Sequence, residues 1–255
     1  MKINHFYNED CRNTIERMRE RDFKIEGVIT SPPYNTSSNS SKIDHHNRYD
    51  AYNDIISNEN YYDFMLSLFD GFYDILKENG VVLWNINYGN VNPNAMWVLM
   101  GLIADDTDFT IADDIIWFKS NAMPNVGSSN KLTRIVEHVF VLCRDEEFKT
   151  FNSNKELSMV ASNGAKIYKP INNVVYAKNN DGSNPFNKAT YSIDLVGQLI
   201  DLYFKKGDLI YDPFMGTGTT ALACRMKGLN YIGSEISHNQ VDYSIERLKE
   251  VQITL

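Results

Sequence analysis

The chain has 255 residues, of which 43% are hydrophobic and 23% are charged, and its formal net charge is −8. This composition is ordinary for a globular protein and allows a single domain, 1–255, with a modest insertion. No apolar run reaches the ~18 residues that a membrane helix needs, and the charged N-terminal segment lacks an apolar signal core, so we expect a cytoplasmic protein with no membrane partner.

Short apolar runs bounded by turn residues predict the strands, and helical spacing of apolar residues predicts the helices. The predicted strands, in chain order, are 28–30, 81–86, 115–118, 139–143, 209–211 and 231–235. The predicted helices are 62–78, 92–104, 193–204 and 219–226, with a last one ending near Val251. Continuous apolar strands alternating with helices indicate an α/β fold with a mostly parallel sheet covered on both faces.

Two segments depart from this pattern. Residues 35–60 are rich in Ser, Asn and Asp, which is typical of a mobile loop, and loops of this length are often lids or binding loops. Residues 145–184 are polar and weakly periodic, so we expect a small inserted subregion rather than a sheet element.

The cysteines and histidines give no metal-binding pattern. Cys11, Cys143 and Cys224 are far apart and show no C-x-x-C spacing, so we expect buried thiols and neither a disulfide framework nor a zinc site. His45 and His46 lie in the polar loop without further spaced ligands. We therefore expect no metal.

A glycine-rich turn connects a predicted strand to a predicted helix in the stretch DPFMGTGTTA, 212–221. Gly216 and Gly218 allow a sharp turn and a close ligand approach, and the helix start behind them suits a carboxylate or phosphate. Glu235 ends the next strand, where an acidic side chain can accept ribose hydroxyls. The same letters fit the dinucleotide fingerprint G-x-G-x-x-A, so a nicotinamide-dependent oxidoreductase and a plain turn are both open alternatives.

The stretch VITSPPYN, 28–35, ends a buried strand with two prolines. Pro32 and Pro33 make the backbone rigid and leave carbonyl groups available. With the Ser31 hydroxyl and the Tyr34 ring, they would suit a planar guest that carries an amino group. A diproline turn that merely ends the strand is the alternative.

The pairing of TSPPYN with DPFMGTGTT strongly resembles the DNA amino-methyltransferases, in the motif order of their beta arrangement. The resemblance implies a Rossmann-like, doubly wound class I methyltransferase fold with an antiparallel strand pair near one edge. It also implies methyl transfer from S-adenosylmethionine, giving S-adenosylhomocysteine, to the exocyclic amino group of a flipped DNA base. The segment 145–184 would be the target-recognition region, and the loop 35–60 would lie near the active site.

The resemblance also implies the site residues. The catalytic residues would be Ser31, Pro32, Pro33 and Tyr34. The cofactor-binding residues would be Asp10, Asp212, Phe214, Gly216, Gly218, Thr219, Thr220 and Glu235. Lys119, Lys131 and Arg134 are the candidates for DNA contacts, in a stretch with few acids. Serine in the first position of SPPY resembles the N4-cytosine enzymes, so we favour cytosine, with N6-adenine as the alternative. A homodimer and a cognate restriction endonuclease are possible partners.

Overall fold

A computed structural model describes residues 1–35, 56–89, 92–182 and 190–250. The strands are β1 (His5–Tyr7), β2 (Ile25–Thr30), β3 (Leu76–Ile86), β4 (Phe109–Lys119), β5 (Val136–Arg144), β6 (Leu157–Val160), β7 (Lys166–Tyr168), β8 (Val174–Ala177), β9 (Leu209–Asp212) and β10 (Asn230–Ser234). The helices are α1 (Cys11–Glu20), α2 (Asn58–Ile75), α3 (Ala95–Asp106), α4 (Ile193–Tyr203), α5 (Thr219–Lys227) and α6 (His238–Glu250).

The main sheet has eight strands in the order β1-β10-β9-β2-β3-β5-β4-β8, and β6 and β7 form a separate exposed hairpin. Strands β1, β10, β9, β2 and β3 are mutually parallel, and β5 runs antiparallel to both β3 and β4. Strand β8 is parallel to β4. The sheet is therefore mostly parallel with one reversed strand towards one edge, as the resemblance implies.

Helices cover both faces of the sheet. One apolar cluster holds buried side chains of α4, α5 and α6, and the other holds those of α1, α2 and α3. Consecutive residues of β3 divide between the clusters: Leu83 packs in the first and Trp84 in the second. Burial on both faces explains why the central strands are continuously apolar.

Most of the expected elements are present, with shifted ends. Helix α2 begins four residues earlier than expected because Ser57 caps it, its Oγ accepting from the Asn60 amide at 3.2 Å. Strand β3 then follows α2 directly. Strand β1 and helix α1 were not expected, since their sequence is short or highly charged. Most of the expected loop at 35–60 (residues 36–55) and the expected end of the last helix at Val251 lie outside the described residues.

We expected no sheet element in residues 145–184, and this expectation is wrong for the C-terminal part of the segment. Strand β8 lies at the edge of the main sheet, where Val175 pairs with Trp117 of β4. Val175 and Ala177 are buried while Val174 and Tyr176 are exposed. Such a short, alternating strand has too few apolar residues to stand out in a polar segment. The rest of the segment holds the exposed β6–β7 hairpin.

The three cysteines are free and buried, as expected. Burial raises the pKa of the Cys143 thiol to about 11, which suits a packing role. None of the helices in the described ranges is long and apolar enough to cross a membrane.

Candidate active site

The two sequence motifs meet at the carboxyl edge of the sheet. Strand β2 leads into Ser31–Tyr34 and strand β9 leads into the glycine turn, and the two strands are neighbours, with Val28 opposite Tyr211. The chain runs outwards in opposite directions from this pair, through β3 on one side and β10 on the other. Ligands of open α/β sheets bind at such a switch point.

Ser31 and Tyr34 belong to a polar network that reaches across β3 to β5. The Ser31 Oγ lies 3.0 Å from the Tyr34 hydroxyl. That hydroxyl donates towards Asn85 Oδ1 at 3.2 Å and Glu137 Oε2 at 3.3 Å. The Asn85 amide nitrogen in turn donates to the His138 carbonyl at 3.0 Å, which fixes its orientation. Glu137 was not expected as a site residue, and its place at the start of a reversed strand explains why.

The two prolines have different surroundings. The Pro33 carbonyl accepts a hydrogen bond from the buried Tyr61 hydroxyl at 2.9 Å, which ties the turn to α2. No donor among the described residues bonds the Pro32 carbonyl. The protein therefore occupies one of the two lone pairs of the Pro33 carbonyl and neither of those of the Pro32 carbonyl.

Asp212 is the internal anchor of the glycine turn. Its carboxylate is buried and accepts from Thr30 Oγ1 at 2.6 Å, Thr220 Oγ1 at 2.5 Å, the Phe214 amide at 3.0 Å and the Tyr191 hydroxyl at 3.2 Å. Burial raises the pKa of Asp212, and these hydrogen bonds oppose the rise. With four donors at hand, the carboxylate holds β2, β9 and α5 together.

The two glycines of the turn have left-handed backbone conformations, with φ of 52° at Gly216 and 82° at Gly218. A Cβ on Gly218 would lie 2.8 Å from the Ser244 Cβ of α6. The amides of both glycines are already bonded within the protein, that of Gly216 to Glu235 and that of Gly218 to Met215. Gly218 is also the N-cap of α5 and provides no side-chain cap, so the first turn of that helix is available for an anion.

Glu235 connects the glycine turn to the end of β10. Its Oε2 accepts from the Gly216 amide at 2.9 Å and its Oε1 accepts from the Ser237 amide at 2.8 Å. These bonds hold the carboxylate in place at the cleft wall. An ionised carboxylate has about four acceptor sites, so it can still accept hydroxyl groups from a ligand.

An open cleft of about 110 Å³ runs along this edge. Of the predicted site residues, its walls include Ser31, Pro33, Asp10, Phe214, Gly216, Thr219 and Glu235. Pro32, Tyr34, Asp212, Gly218 and Thr220 are not lining residues, but each adjoins one in the chain. Phe64, Ile236 and Tyr191 also line the cleft. Phe64 was not expected as a site residue because its helical spacing marks it as core.

The far end of the cleft combines aromatic side chains with a held carboxylate. The rings of Phe64 and Phe214 make an edge contact at 6.1 Å, and Arg12 lies over Phe64 at 5.1 Å. Asp10 caps α1 and accepts from the Arg12 side chain at 2.7 Å and 3.0 Å. These hydrogen bonds lower the pKa of Asp10, so it is ionised at neutral pH. This end suits a flat ring that carries a hydrogen-bond donor.

The three predicted DNA contacts lie in different surroundings. Lys119 is largely buried, pairs with Glu137 and lies 4.8 Å above the Trp117 ring. Arg134 lies 4.6 Å above the Tyr88 ring and donates to the Tyr88 carbonyl. Lys131 is exposed. Only Lys131 therefore projects its charge into solvent away from these contacts.

A family model described as DNA methylase, of the N6 and N4 type, matches residues 25–246. The chain belongs to this DNA methylase family. The match to this family model leaves the oxidoreductase interpretation of the glycine turn without support.

Two curated relatives share about a quarter of their residues with this DNA methylase over the matched parts. It is 28% identical to the type II methyltransferase M.Cfr9I of Citrobacter freundii over 160 residues, covering 60% of this chain and 49% of the relative. It is 26% identical to the type II methyltransferase M.HinfI of Haemophilus influenzae, covering 98% of this chain and 70% of the relative. The chain thus spans about half of M.Cfr9I.

Solved structures share the fold. The PvuII DNA methyltransferase (cytosine-N4-specific) matches with a TM-score of 0.70 at 16% identity, covering 100% of this chain and 89% of that one. M1.HpyAVI matches with a TM-score of 0.66 at 18% identity, covering 97% and 99%. The Rossmann-like class I methyltransferase fold expected for this DNA methylase is confirmed.

Proposed function

We propose that this DNA methylase transfers a methyl group from S-adenosylmethionine to the exocyclic amino group of a base in DNA, and that the base is cytosine, methylated at N4. The observation that carries the proposal is the adjacency of the Ser31–Tyr34 turn and the glycine turn at the ends of β2 and β9. One cleft runs past both turns. An amino group held by the first turn and a methyl donor held by the second would therefore meet.

The cleft residues fit the three parts of S-adenosylmethionine. The uncapped start of α5, at Thr219, would bind its carboxylate. The Glu235 carboxylate would accept its ribose hydroxyls. The adenine would lie at the aromatic end, against Phe214 and within reach of Asp10. M1.HpyAVI has been solved as a complex with S-adenosylmethionine, which supports this choice of cofactor.

The direction of the hydrogen bonds around the Tyr34 hydroxyl would leave Ser31 Oγ as an acceptor for a substrate amino group. Tyr34 has a single hydroxyl proton, which points to the acceptor oxygens of Asn85 and Glu137. The Tyr34 oxygen is then left as an acceptor, so the Ser31 hydroxyl donates to it. The remaining lone pairs of Ser31 Oγ, which lines the cleft, are free to accept from a substrate amine.

The proposed mechanism needs the target base outside the duplex, because the amino group is inaccessible within it. Ser31 Oγ and the Pro32 carbonyl each accept one amino hydrogen, which draws the nitrogen lone pair out of conjugation with the ring. When bound, S-adenosylmethionine would supply the methyl group and leave as S-adenosylhomocysteine. The methylated nitrogen would then lose one of its original protons to solvent in the open cleft.

Cytosine is favoured because Ser31 holds the first position of the SPPY turn. One similar structure, the PvuII enzyme, is described as cytosine-N4-specific. Adenine methylated at N6 is the second candidate, since its amino group offers the same two hydrogens to Ser31 and Pro32.

DNA recognition would belong to residues 145–184, whose β6–β7 hairpin is exposed. Both curated relatives are type II methyltransferases, so a cognate restriction endonuclease is a reasonable partner. In a homodimer, two copies of this short region would be present for DNA recognition.

The test is to incubate the protein with DNA and methyl-labelled S-adenosylmethionine, digest the product to nucleosides and identify the labelled base by mass. We expect N4-methylcytosine. Label on N6-methyladenine would replace the base assignment while keeping the reaction, and no label on any nucleoside would refute the proposed function.

A further inference from the structure

The connection between β4 and β5, residues 120–135, leaves and re-enters the sheet beside the candidate active site. Strand β4 ends at Lys119 and the antiparallel β5 begins at Val136, so both ends of the connection are at the carboxyl edge. Glu137, which bonds the Tyr34 hydroxyl, is two residues beyond it. The connection is thus fixed to the same network as the catalytic turn.

The charge of this connection differs from that of the rest of the chain. Residues 120–135 hold Lys131 and Arg134 and no acidic residue, whereas the whole chain has a net charge of −8. Its other polar residues are Asn, Ser and Thr. This chemistry suits phosphate and base edges, because phosphate binding needs cations and uncharged donors.

Two of the exposed apolar side chains of the connection border a polar cavity of about 520 Å³. Met123 is 82% exposed and Leu132 is 90% exposed, and both line this cavity together with Lys119 and Glu137. Asn125 joins the two limbs, since its amide donates to Thr133 Oγ1 and its side chain to the Lys131 carbonyl, both at 2.9 Å. The outgoing and returning limbs therefore place Met123 and Leu132 at the same cavity.

Exposed apolar side chains have an obvious use where a base must leave its stack. Extruding a base removes its stacking contacts, and proteins that distort DNA commonly insert Met or Leu between base steps. Val126, at 91% exposure, sits beyond the Asn125 link and does not line the cavity. It is therefore an internal control on the same connection.

We propose that Met123 and Leu132 enter the DNA stack at the position that the target base leaves, and so stabilise the extruded base. This inference rests on the proposed function. It assigns the β4–β5 connection, rather than residues 145–184, to the opening of the duplex. The occupant of this surface is the substrate DNA.

The experiment uses two short duplexes around a target base, located by sequencing DNA that the wild-type protein has methylated. In one duplex the target base is paired, and in the other it faces an abasic position. We expect Met123→Ala/Leu132→Ala to methylate the paired duplex at least ~10-fold more slowly than the wild type, and the abasic duplex at nearly the wild-type rate. Val126→Ala should match the wild type on both. Unchanged S-adenosylhomocysteine affinity establishes that the variants are folded.

Three results would overturn the inference. Wild-type rates of the double variant on the paired duplex would show that the side chains are not needed. Equal losses on both duplexes would assign them to DNA affinity alone. A dimer in light scattering that the double substitution dissociates would show that a second copy of the chain covers this surface. If the wild type labels no DNA at all, the proposed function fails first and the inference falls with it.

Discussion

The Ser31 Oγ and the Tyr34 hydroxyl lie 3.0 Å apart, at the start of a hydrogen-bonded path that ends at Glu137. In the proposed function, Ser31 contacts the substrate amine and Tyr34 orients Ser31. Replacing either hydroxyl should therefore affect the reaction in a graded manner.

We expect Ser31→Ala to lower kcat by ~10²–10³-fold, because it removes an acceptor aimed at the reacting amino group. Tyr34→Phe should cause a smaller loss, since it keeps the ring and leaves Ser31 Oγ in place without its orienting partner. Methyl transfer to DNA at saturating cofactor measures both effects. Calorimetric binding of S-adenosylhomocysteine should be unchanged in both variants, and near-normal turnover of Ser31→Ala would exclude the acceptor role.

Glu235→Ala should weaken cofactor binding by ~10-fold or more, because a charged acceptor of ribose hydroxyls is lost. The change also leaves the Gly216 amide without its partner. Glu235→Gln keeps one amide oxygen and should lose less. Isothermal titration with S-adenosylhomocysteine measures the affinity, and Glu246→Gln on the exposed side of α6 should equal the wild type. Unchanged affinity of Glu235→Ala would contradict the ribose assignment.

Gly218→Ala should destabilise the protein more than Gly207→Ala. Both glycines have positive φ, 82° and 94°, but a Cβ on Gly218 meets Ser244 at 2.8 Å while one on Gly207 meets nothing within 4 Å. We expect a loss of ~1–2 kcal/mol from backbone strain in Gly207→Ala and a larger loss in Gly218→Ala. Urea unfolding gives both free energies. Equal losses would mean that α6 moves away from the turn without cost.

Lys119→Met and Lys131→Ala should impair different properties, the first kcat and the second the salt dependence of DNA binding. Lys119 pairs with Glu137 beside Tyr34, so its loss leaves a poorly solvated carboxylate next to the catalytic turn and should lower kcat. Lys119→Met/Glu137→Gln should recover part of the rate. Lys131 is exposed, so its loss should instead reduce the salt dependence of DNA binding by about one unit of slope. A reduced salt slope in the Lys119→Met variant with unchanged kcat would restore Lys119 as a phosphate contact.

The pH dependence of the free energy of unfolding should show the contribution of Asp212. Burial raises its folded-state pKa above the ordinary value of 3.8, so the native state binds the proton more tightly than the unfolded chain does. Asp212 therefore favours the fold most at low pH, and its contribution falls as pH rises from about 3.8 through the folded pKa. Asp212→Asn should be less stable by ~1–3 kcal/mol, because an amide cannot accept from all four donors. The difference in unfolding free energy between wild type and variant should shrink as the pH rises through this window. A constant difference would contradict the raised pKa.

The sequence predicts the parts of this fold that local chemistry determines. Apolar runs buried on both faces identify the central strands, and the diproline and diglycine turns identify the two halves of the site. The positions of Ser31 and Glu235 could be predicted because each follows a strand directly.

Other parts depend on contacts between distant residues. Phe64 belongs to α2 and looks like a core residue until α2 is packed beside the glycine turn. Glu137 enters the site only because β5 is reversed, which brings the start of a strand, and not its end, to the carboxyl edge. Strand β8 is too short to be distinguished from a loop without its partner β4. In each case the order of the strands in the sheet determines which residues meet. The local patterns of one sequence do not encode that order.

The pairing of β2 with β9 joins residues that are far apart along the chain, with Gly27 opposite Ile210. Neither half of the candidate site can be completed by its own part of the chain, and closing so long a loop is a slow and entropically costly step in folding. Cofactor affinity therefore cannot precede closure of the centre of the sheet. In a refolding experiment, the appearance of S-adenosylhomocysteine binding would time the formation of that single strand pair.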